Sequence, residues 1–210
     1  MASASAADWE AYAKSTSSAL IRAHYLFTVW RNYLILLRGL KIPQGSLLEI
    51  GSSTGLNSLR LSKKFKLKPT LVDTSRFALA SAYRLYRRYN IYPELIQQDV
   101  LQLSLDHQFD FVHSHGLLEH FKHSAQRIAF HNHAKYVRPG GWLICWVPTP
   151  DILYRTSRWY LEHTNQWIFG YEKPLPLKDF IFFFQNESLN IRKIRHMPGW
   201  LGVAAQKPIK

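Results

Sequence analysis

The chain has 210 residues, with 27 Lys and Arg against 14 Asp and Glu, a formal charge of +13, and 47% apolar residues. This length suits one medium-sized domain burying roughly 70% of its unfolded surface, and a 14% aromatic content excludes a disordered chain. The single cysteine, Cys145, excludes a disulfide framework or a thiolate zinc site and points to a reducing, cytoplasmic compartment, while the charge points to anionic surroundings without bearing on fold.

Met1 to Ala7 is small and polar with no apolar run behind it, so no secretory signal is expected. Leu20 to Leu40 is apolar but is interrupted by Arg22, Arg31-Asn32 and Arg38, so it should not span a bilayer. Leu26, Trp30, Tyr33, Leu37 and Leu40 follow a 4, 3, 4, 3 spacing, which predicts one apolar helix face. The expectation is a helix packed on the core; the alternative is a basic interfacial helix in peripheral contact with a membrane. Residues 1–45 therefore read as an N-terminal helical segment capping the site.

From Ser46 onward, short apolar runs alternate with longer helical patterns, which is the α/β signature. Strands are expected at Ser46–Ile50, Thr70–Asp73, Pro93–Gln97, Phe109–Ser114 and Trp142–Val147, with helices at Leu56–Lys66, Arg76–Asn90 and His123–Tyr136. Thr74 or Ser75 is the expected N-cap of the second helix. Pro139-Gly140-Gly141 should stop the third helix, and the unalternating run after it suits a strand covered on both faces. Residues 46–210 form the main domain, with 150–185 as a Trp- and Tyr-rich lid insertion and Phe180 to Phe184 as core. Asn190–His196 and Leu201–Gln206, separated by Pro198-Gly199, read as an antiparallel hairpin at a sheet edge.

Glu49-Ile50-Gly51-Ser52-Ser53-Thr54-Gly55 ends a strand and opens directly into a helix, which brings backbone N–H groups against a ligand over the sheet edge. Asp73, 22 residues past Gly51, can accept both hydrogen bonds of a ribose diol. A nucleoside ligand follows. The loop lacks the lysine of a Walker-type phosphate cradle, and Ser53 and Leu56 stand where a dinucleotide turn has glycines.

Leu47 to Gly55 resembles motif I of the class I S-adenosylmethionine-dependent methyltransferases. The resemblance continues through Leu71-Val72-Asp73, Gln98-Asp99-Val100, Phe109 to His115 with Leu117-Leu118-Glu119-His120-Phe121, and Tyr136 to Gly141. It implies a Rossmann-like, doubly wound, seven-stranded sheet, mostly parallel with an antiparallel C-terminal hairpin strand. It also implies S-adenosylmethionine as cofactor. Gly51 and Gly55 would pass the methionine moiety, with Ser52, Ser53 and Thr74 beside the cofactor. Glu49 would order the loop and the amino group, Asp73 would hold the ribose, and Asp99 with the Val100 backbone would contact adenine. His113, Ser114, His115 and Gly116 would flank the sulfonium and the acceptor. Ser53 stands where the family has its middle glycine.

Methyl transfer needs a nucleophile aligned on the methyl and water excluded, with a base where the acceptor carries a proton. His115 is the first expected base and His163 the second. His113, His115, Glu119 and His120 also admit a metal reading, but none is expected, because helix caps and solvated histidines account for them. Tyr12, His115, Glu119, Trp159 and Trp167 are the expected acceptor contacts, with Tyr154, Tyr160, Phe169 and Tyr171 among the lid rings. The basic clusters at Lys63–Lys68, Arg84–Arg88 and Arg192–Arg195 fall mostly on outer helices. The expected activity is transfer of a methyl group to an O or N atom of a small apolar or aromatic acceptor. The alternatives are a nucleic-acid methyltransferase, which would need cations and aromatic rings converging on the rim, or a catalytically silent cofactor-binding partner protein. Oligomeric state is not legible.

Overall fold

The computed structural model describes residues 19–167 and 169–209, with side chains described from residue 27 onward. In chain order the elements are α1 (Ala19–Leu37), β1 (Gly45–Ile50), α2 (Leu56–Phe65), β2 (Leu67–Asp73), α3 (Arg76–Arg87), β3 (Glu94–Gln97) and β4 (Phe109–His115). There follow α4 (His123–Lys135), β5 (Val137–Pro148), α5 (Ile152–His163), α6 (Leu177–Asn186), β6 (Asn190–Met197) and β7 (Trp200–Gln206). Single 3-10 turns, Val100–Gln102 and Leu118–His120, follow β3 and β4.

The seven strands lie in the order β3-β2-β1-β4-β5-β7-β6. β1 to β5 pair in parallel, and β7 inserts between β5 and β6, antiparallel to both. β6 therefore runs with the other strands and forms the edge, whereas β7 is interior. Their burial patterns record the difference: β6 alternates between exposed and half-buried residues, while Leu201 to Ala205 of β7 are all buried.

Helices cover both faces. Val29, Tyr33, Leu36 and Leu37 of α1 pack with Leu61 of α2 on Leu47, Phe111, Ile144 and Trp146. Leu79, Ala82 and Tyr86 of α3 pack with Leu59 on Leu71. On the opposite face, Phe130 of α4 and Phe180 and Phe184 of α6 pack on Val112, Leu143 and Val147. Successive residues of β4 and β5 feed alternate faces, so an almost unbroken apolar run is needed to fill both layers.

Several expected elements change. The buried stripe of α1 includes Tyr33 and Leu37 as expected, but is completed by Val29 and Leu36. α1 ends at Leu37, before Leu40, where the chain turns through Gly39 at φ +77°. Trp30 is half-buried beneath the Arg60 guanidinium, and the side chain of Leu26 lies outside the described residues. β5 absorbs Pro139-Gly140-Gly141 instead of following it, with a register shift between Phe109 and Phe111 and the Gly140 N–H donating to the Lys207 carbonyl. The expected lid of 150–185 takes in α6, which is a sheet-covering helix, because Phe180 and Phe184 are fully buried. The projecting part is α5, which has no buried residue, and the segment leading to Leu177. Among the described residues no helix is long and apolar enough to cross a membrane.

Candidate active site

Parallel pairing of Glu49 with Leu71 and with His113, and of Asp73 with Gln97, brings the ends of β3, β2, β1 and β4 to one edge of the sheet. The turn after β1 crosses this edge with Gly51, Ser53 and Gly55 at φ +68°, +49° and +64°. Positive φ costs an L-residue about 1–2 kcal/mol, and Ser53 meets that cost where the resembling family uses glycine. A Cβ on Gly55 would lie 2.6 Å from Leu71 Cδ1, so only glycine fits there without displacement.

Carboxylates tip the strands. The Ser53 N–H donates to Asp73 Oδ2 (2.7 Å) and the Ser75 N–H to Oδ1 (2.8 Å), so each oxygen of Asp73 keeps a lone pair for a ribose diol. Burial raises the Asp73 carboxyl above its usual range against these bonds. Exposed Asp99 caps the turn Val100–Gln102, accepting the Leu101 N–H at 2.9 Å. Buried Val100 gives its carbonyl to the Asn132 amide, and exposed Thr74 gives its carbonyl to Gln97. Ser75, not Thr74, is the N-cap of α3.

Glu49 is buried, and burial pushes it up to about 8 against hydrogen bonds from Ser58. Its Oε2 has no hydrogen-bond partner among the described residues, and neither has the buried hydroxyl of Ser52. Orphaned polar atoms beneath a glycine turn suit a ligand carrying an amino group. His113 does not extend into this space. Its ring is fully buried, with Nε2 2.7 Å from the Ser58 hydroxyl and Nδ1 3.2 Å from the Tyr33 hydroxyl, and burial pushes it down to about 3. The 3.8 Å approach of His113 to Glu49 is therefore between neutral groups; His113 ties β4 to α1 and α2 through Tyr33 and Ser58, while Ser114 is buried on the opposite face of the strand.

His115, at the tip of β4, stacks on Trp200 (centroids 4.5 Å, 29°) and lies 6.1 Å from Tyr33 and 6.2 Å from Trp146. Burial among these rings pushes it down to about 3, so it is neutral at working pH and a weak base. Tyr33 and Trp146 are fully buried behind the pair, and Trp200 lies beside Gly116, whose would-be Cβ is 3.3 Å from Trp200 and 3.4 Å from Glu119 Oε1.

Glu119 is 1% exposed and heads a polar cluster reaching into the cap. His120 Nε2 lies 3.9 Å from both Glu119 and Glu172, while its Nδ1–H donates to the Tyr171 carbonyl. The Tyr154 hydroxyl donates to Glu172 (2.7 Å), and Arg158 donates to Tyr154 and to the Glu172 carbonyl while covering the Trp167 ring at 4.7 Å. Tyr154, Arg158 and Leu161, spaced 4 and 3, are thus the inward face of α5.

Trp159 and His163 fall on the opposite face. Trp159 is 59% exposed, and exposed His163 stacks on it at 4.3 Å while donating to its carbonyl. The structure does not bring these two expected site residues to the tip of β4, because the helical period turns them outward. Tyr12 lies outside the described residues. Among the described residues no three His, Cys, Asp or Glu side chains group as a metal site. An open cleft of about 550 Å³ lies beyond the β5 and β6 ends, lined by Thr149, Leu177 and Met197, and does not include the glycine turn.

Sequence reasoning missed Ser58, Trp200 and Glu172, and placed Tyr33 on the apolar face of α1 without giving it a part in the site.

A glycine turn between carboxylate-tipped parallel strands, with an antiparallel strand inserted beside β5, defines the class I methyltransferase fold. Residues 47–141 match a family model described as a methyltransferase domain. Residues 47–141 thus match a methyltransferase domain set in the class I methyltransferase fold, and this domain and fold indicate S-adenosylmethionine as the cofactor. No curated protein matches by sequence. Among solved structures, the N-methyltransferase NodS from Bradyrhizobium japonicum, in complex with S-adenosyl-L-homocysteine, is similar at TM-score 0.65 and 19% identity, covering 93% of this chain and 91% of that one. Magnesium protoporphyrin IX methyltransferase from Synechocystis, with the same bound product, is similar at 0.66 and 16%, covering 88% and 83%. A methyltransferase from Haloferax volcanii, in complex with the Trm112 activator, is similar at 0.74 and 14%, covering 95% and 97%.

Proposed function

We propose that this transferase methylates an O or N atom of a small, partly apolar or aromatic acceptor. The observation that carries the reading is the stacked pair of half-buried rings, His115 and Trp200, beside Gly116 at the strand end, backed by the fully buried rings of Tyr33 and Trp146. Such a surface excludes water and favours a flat or apolar acceptor. Among the similar structures, an N-methyltransferase is in keeping with a nitrogen acceptor and a magnesium protoporphyrin IX methyltransferase with a ring-containing one.

When bound, the cofactor supplies an electrophilic methyl on a sulfonium. The residues of the chain bind and align: Asp73 offers lone pairs to the ribose, Glu49 its free oxygen to the amino group, and Asp99 a carboxylate at the adenine side. His115 is an aligning ring before it is a base. The cap stands over the edge through Arg158, Tyr154 and Glu172.

A nucleic-acid acceptor is disfavoured by where the cations sit. α2 and α3 begin at the glycine-turn edge and run away from it, so exposed Lys63, Lys64, Arg84, Arg87 and Arg88 lie toward the far end. Arg158 is already engaged within the cap. We place the enzyme in the cytoplasm, in keeping with one buried free cysteine. The Trm112 partnership of the Haloferax protein makes a small activator subunit a candidate partner.

The test is isothermal titration with S-adenosylmethionine and S-adenosylhomocysteine, followed by a methyl-transfer screen of aromatic alcohols and amines. Tight cofactor binding with turnover of one such acceptor is expected. Binding without turnover would favour the silent-partner alternative.

A further inference from the structure

Glu119 is among the most deeply buried carboxyls of the described residues, and it lies at the acceptor side of the site. Its Oε1 is 3.4 Å from the position of a Cβ on Gly116, whereas its Oε2 has no hydrogen-bond partner among the described residues. A second carboxyl, Glu172, reaches the same histidine from the cap. Two carboxyls in one buried pocket cannot both carry charge comfortably, and an orphaned carboxyl oxygen there costs free energy that a donor would recover. Burial, and after it the charge of Glu172, hold Glu119 well above its usual range, a shift that the positive charge of a docked ammonium would oppose.

Resting on the small-acceptor reading above, we propose that the acceptor is an amine, whose ammonium form docks on the Glu119 and Glu172 carboxyls and gives its proton to Glu119. An ammonium has three donors and a positive charge, which match an orphaned carboxylate oxygen; an alcohol has one donor and no charge. The carboxylate also offsets the repulsion between an ammonium and the neighbouring sulfonium.

An ammonium has no lone pair, so it must lose a proton before it can be methylated. Glu119 takes that proton, leaving the neutral amine. The nitrogen lone pair then forms the N–C bond to the methyl as the C–S bond breaks and its electron pair stays on sulfur. The products are the methylated ammonium and S-adenosylhomocysteine, and Glu119 returns its proton to solvent. His120 lies between the two carboxyls, its Nε2 3.9 Å from each, and its ring is fixed by the Nδ1–H bond to the Tyr171 carbonyl.

The experiment titrates benzylamine and benzyl alcohol, a pair matched in shape, into the protein saturated with S-adenosylhomocysteine. Benzylamine should bind at least about tenfold more tightly than the alcohol, in line with a charge-assisted hydrogen bond. Glu119→Gln, which keeps the shape and removes the charge, should abolish this preference while S-adenosylhomocysteine still binds. Glu172→Gln, at a less buried position, should weaken it. Equal binding of the two probes, no binding of either by cofactor-loaded protein, or an unchanged preference in both variants would overturn the amine assignment alone. Failure to bind S-adenosylhomocysteine would overturn the methyltransferase reading and this one with it.

Discussion

The backbone N–H of Ser53 donates to the Asp73 carboxylate at 2.7 Å, so the residue we propose as the ribose ligand also holds the glycine turn in place. On that proposal, cofactor affinity and loop geometry depend on one side chain. Asp73→Ala should weaken S-adenosylmethionine binding by about tenfold to a hundredfold, since hydrogen bonds to charged groups contribute about 1.5–3 kcal/mol. Titration calorimetry measures it, and an unchanged Kd would remove Asp73 from the cofactor site.

Gly55 is constrained twice, by φ +64° and by the approach of Leu71 and Tyr86. The Tyr86 hydroxyl also donates to the Gly55 carbonyl at 2.7 Å. Gly55→Ala should cost about 1–3 kcal/mol from overpacking, with the left-handed conformation adding to it. Urea denaturation reads the loss as a lower midpoint.

His133 is fully buried on α4, its Nδ1–H donating to the Ala129 carbonyl and its Nε2 without a partner among the described residues. Burial pushes it down to about 4, below its unfolded value of about 6.5. A depressed histidine favours the fold above its unfolded pKa and withdraws that support as pH falls toward the folded one. His133→Leu should therefore gain on the wild type between pH 6.5 and 4, by about 1.4 kcal/mol per pH unit. Melting curves of both proteins at matched pH values test the sign.

Glu49 has the opposite sign. Its folded pKa is raised to about 8, so its contribution is greatest in acid and is lost as pH rises from about 4.5 to 8. Glu49→Gln should be more stable relative to wild type at pH 8 than at pH 5, and should bind S-adenosylhomocysteine more weakly. A relative stability that does not change with pH would mean that Glu49 is already ionised in the fold.

His115, pushed down to about 3, should contribute no inflection to the pH–rate profile above pH 5. Trp200→Ala, which removes the ring stacked on it, should raise the acceptor KM roughly tenfold while leaving the cofactor Kd intact, as expected for a lost aromatic contact. If His115→Asn shifted an inflection near neutral pH, the histidine would be a base after all.

The sheet and the cofactor edge were legible because their signals are local. A strand, a glycine turn and a helix follow one another from Leu47 to Phe65, and the acids Glu49, Asp73 and Asp99 each sit at a strand end that the apolar runs mark. Parallel pairing then aligns those ends without further information. The residues of the proposed amine side were not legible as a group. Glu119 was singled out, but Glu172 arrives from 53 residues further along the chain, and no period or motif near it announces the partner.

By itself, the sequence determined the alternation of strands and helices, the glycine turn and the acids at the edge, since hydrophobic period and turn chemistry act over a few residues. Only tertiary structure decided that β7 enters between β5 and β6, that Trp200 lies on His115, and that α5 turns Tyr154 and Arg158 inward and Trp159 and His163 outward. Periodicity tells which side chains share a face; which face meets which partner depends on long-range packing, where distant segments compete to bury the same surface.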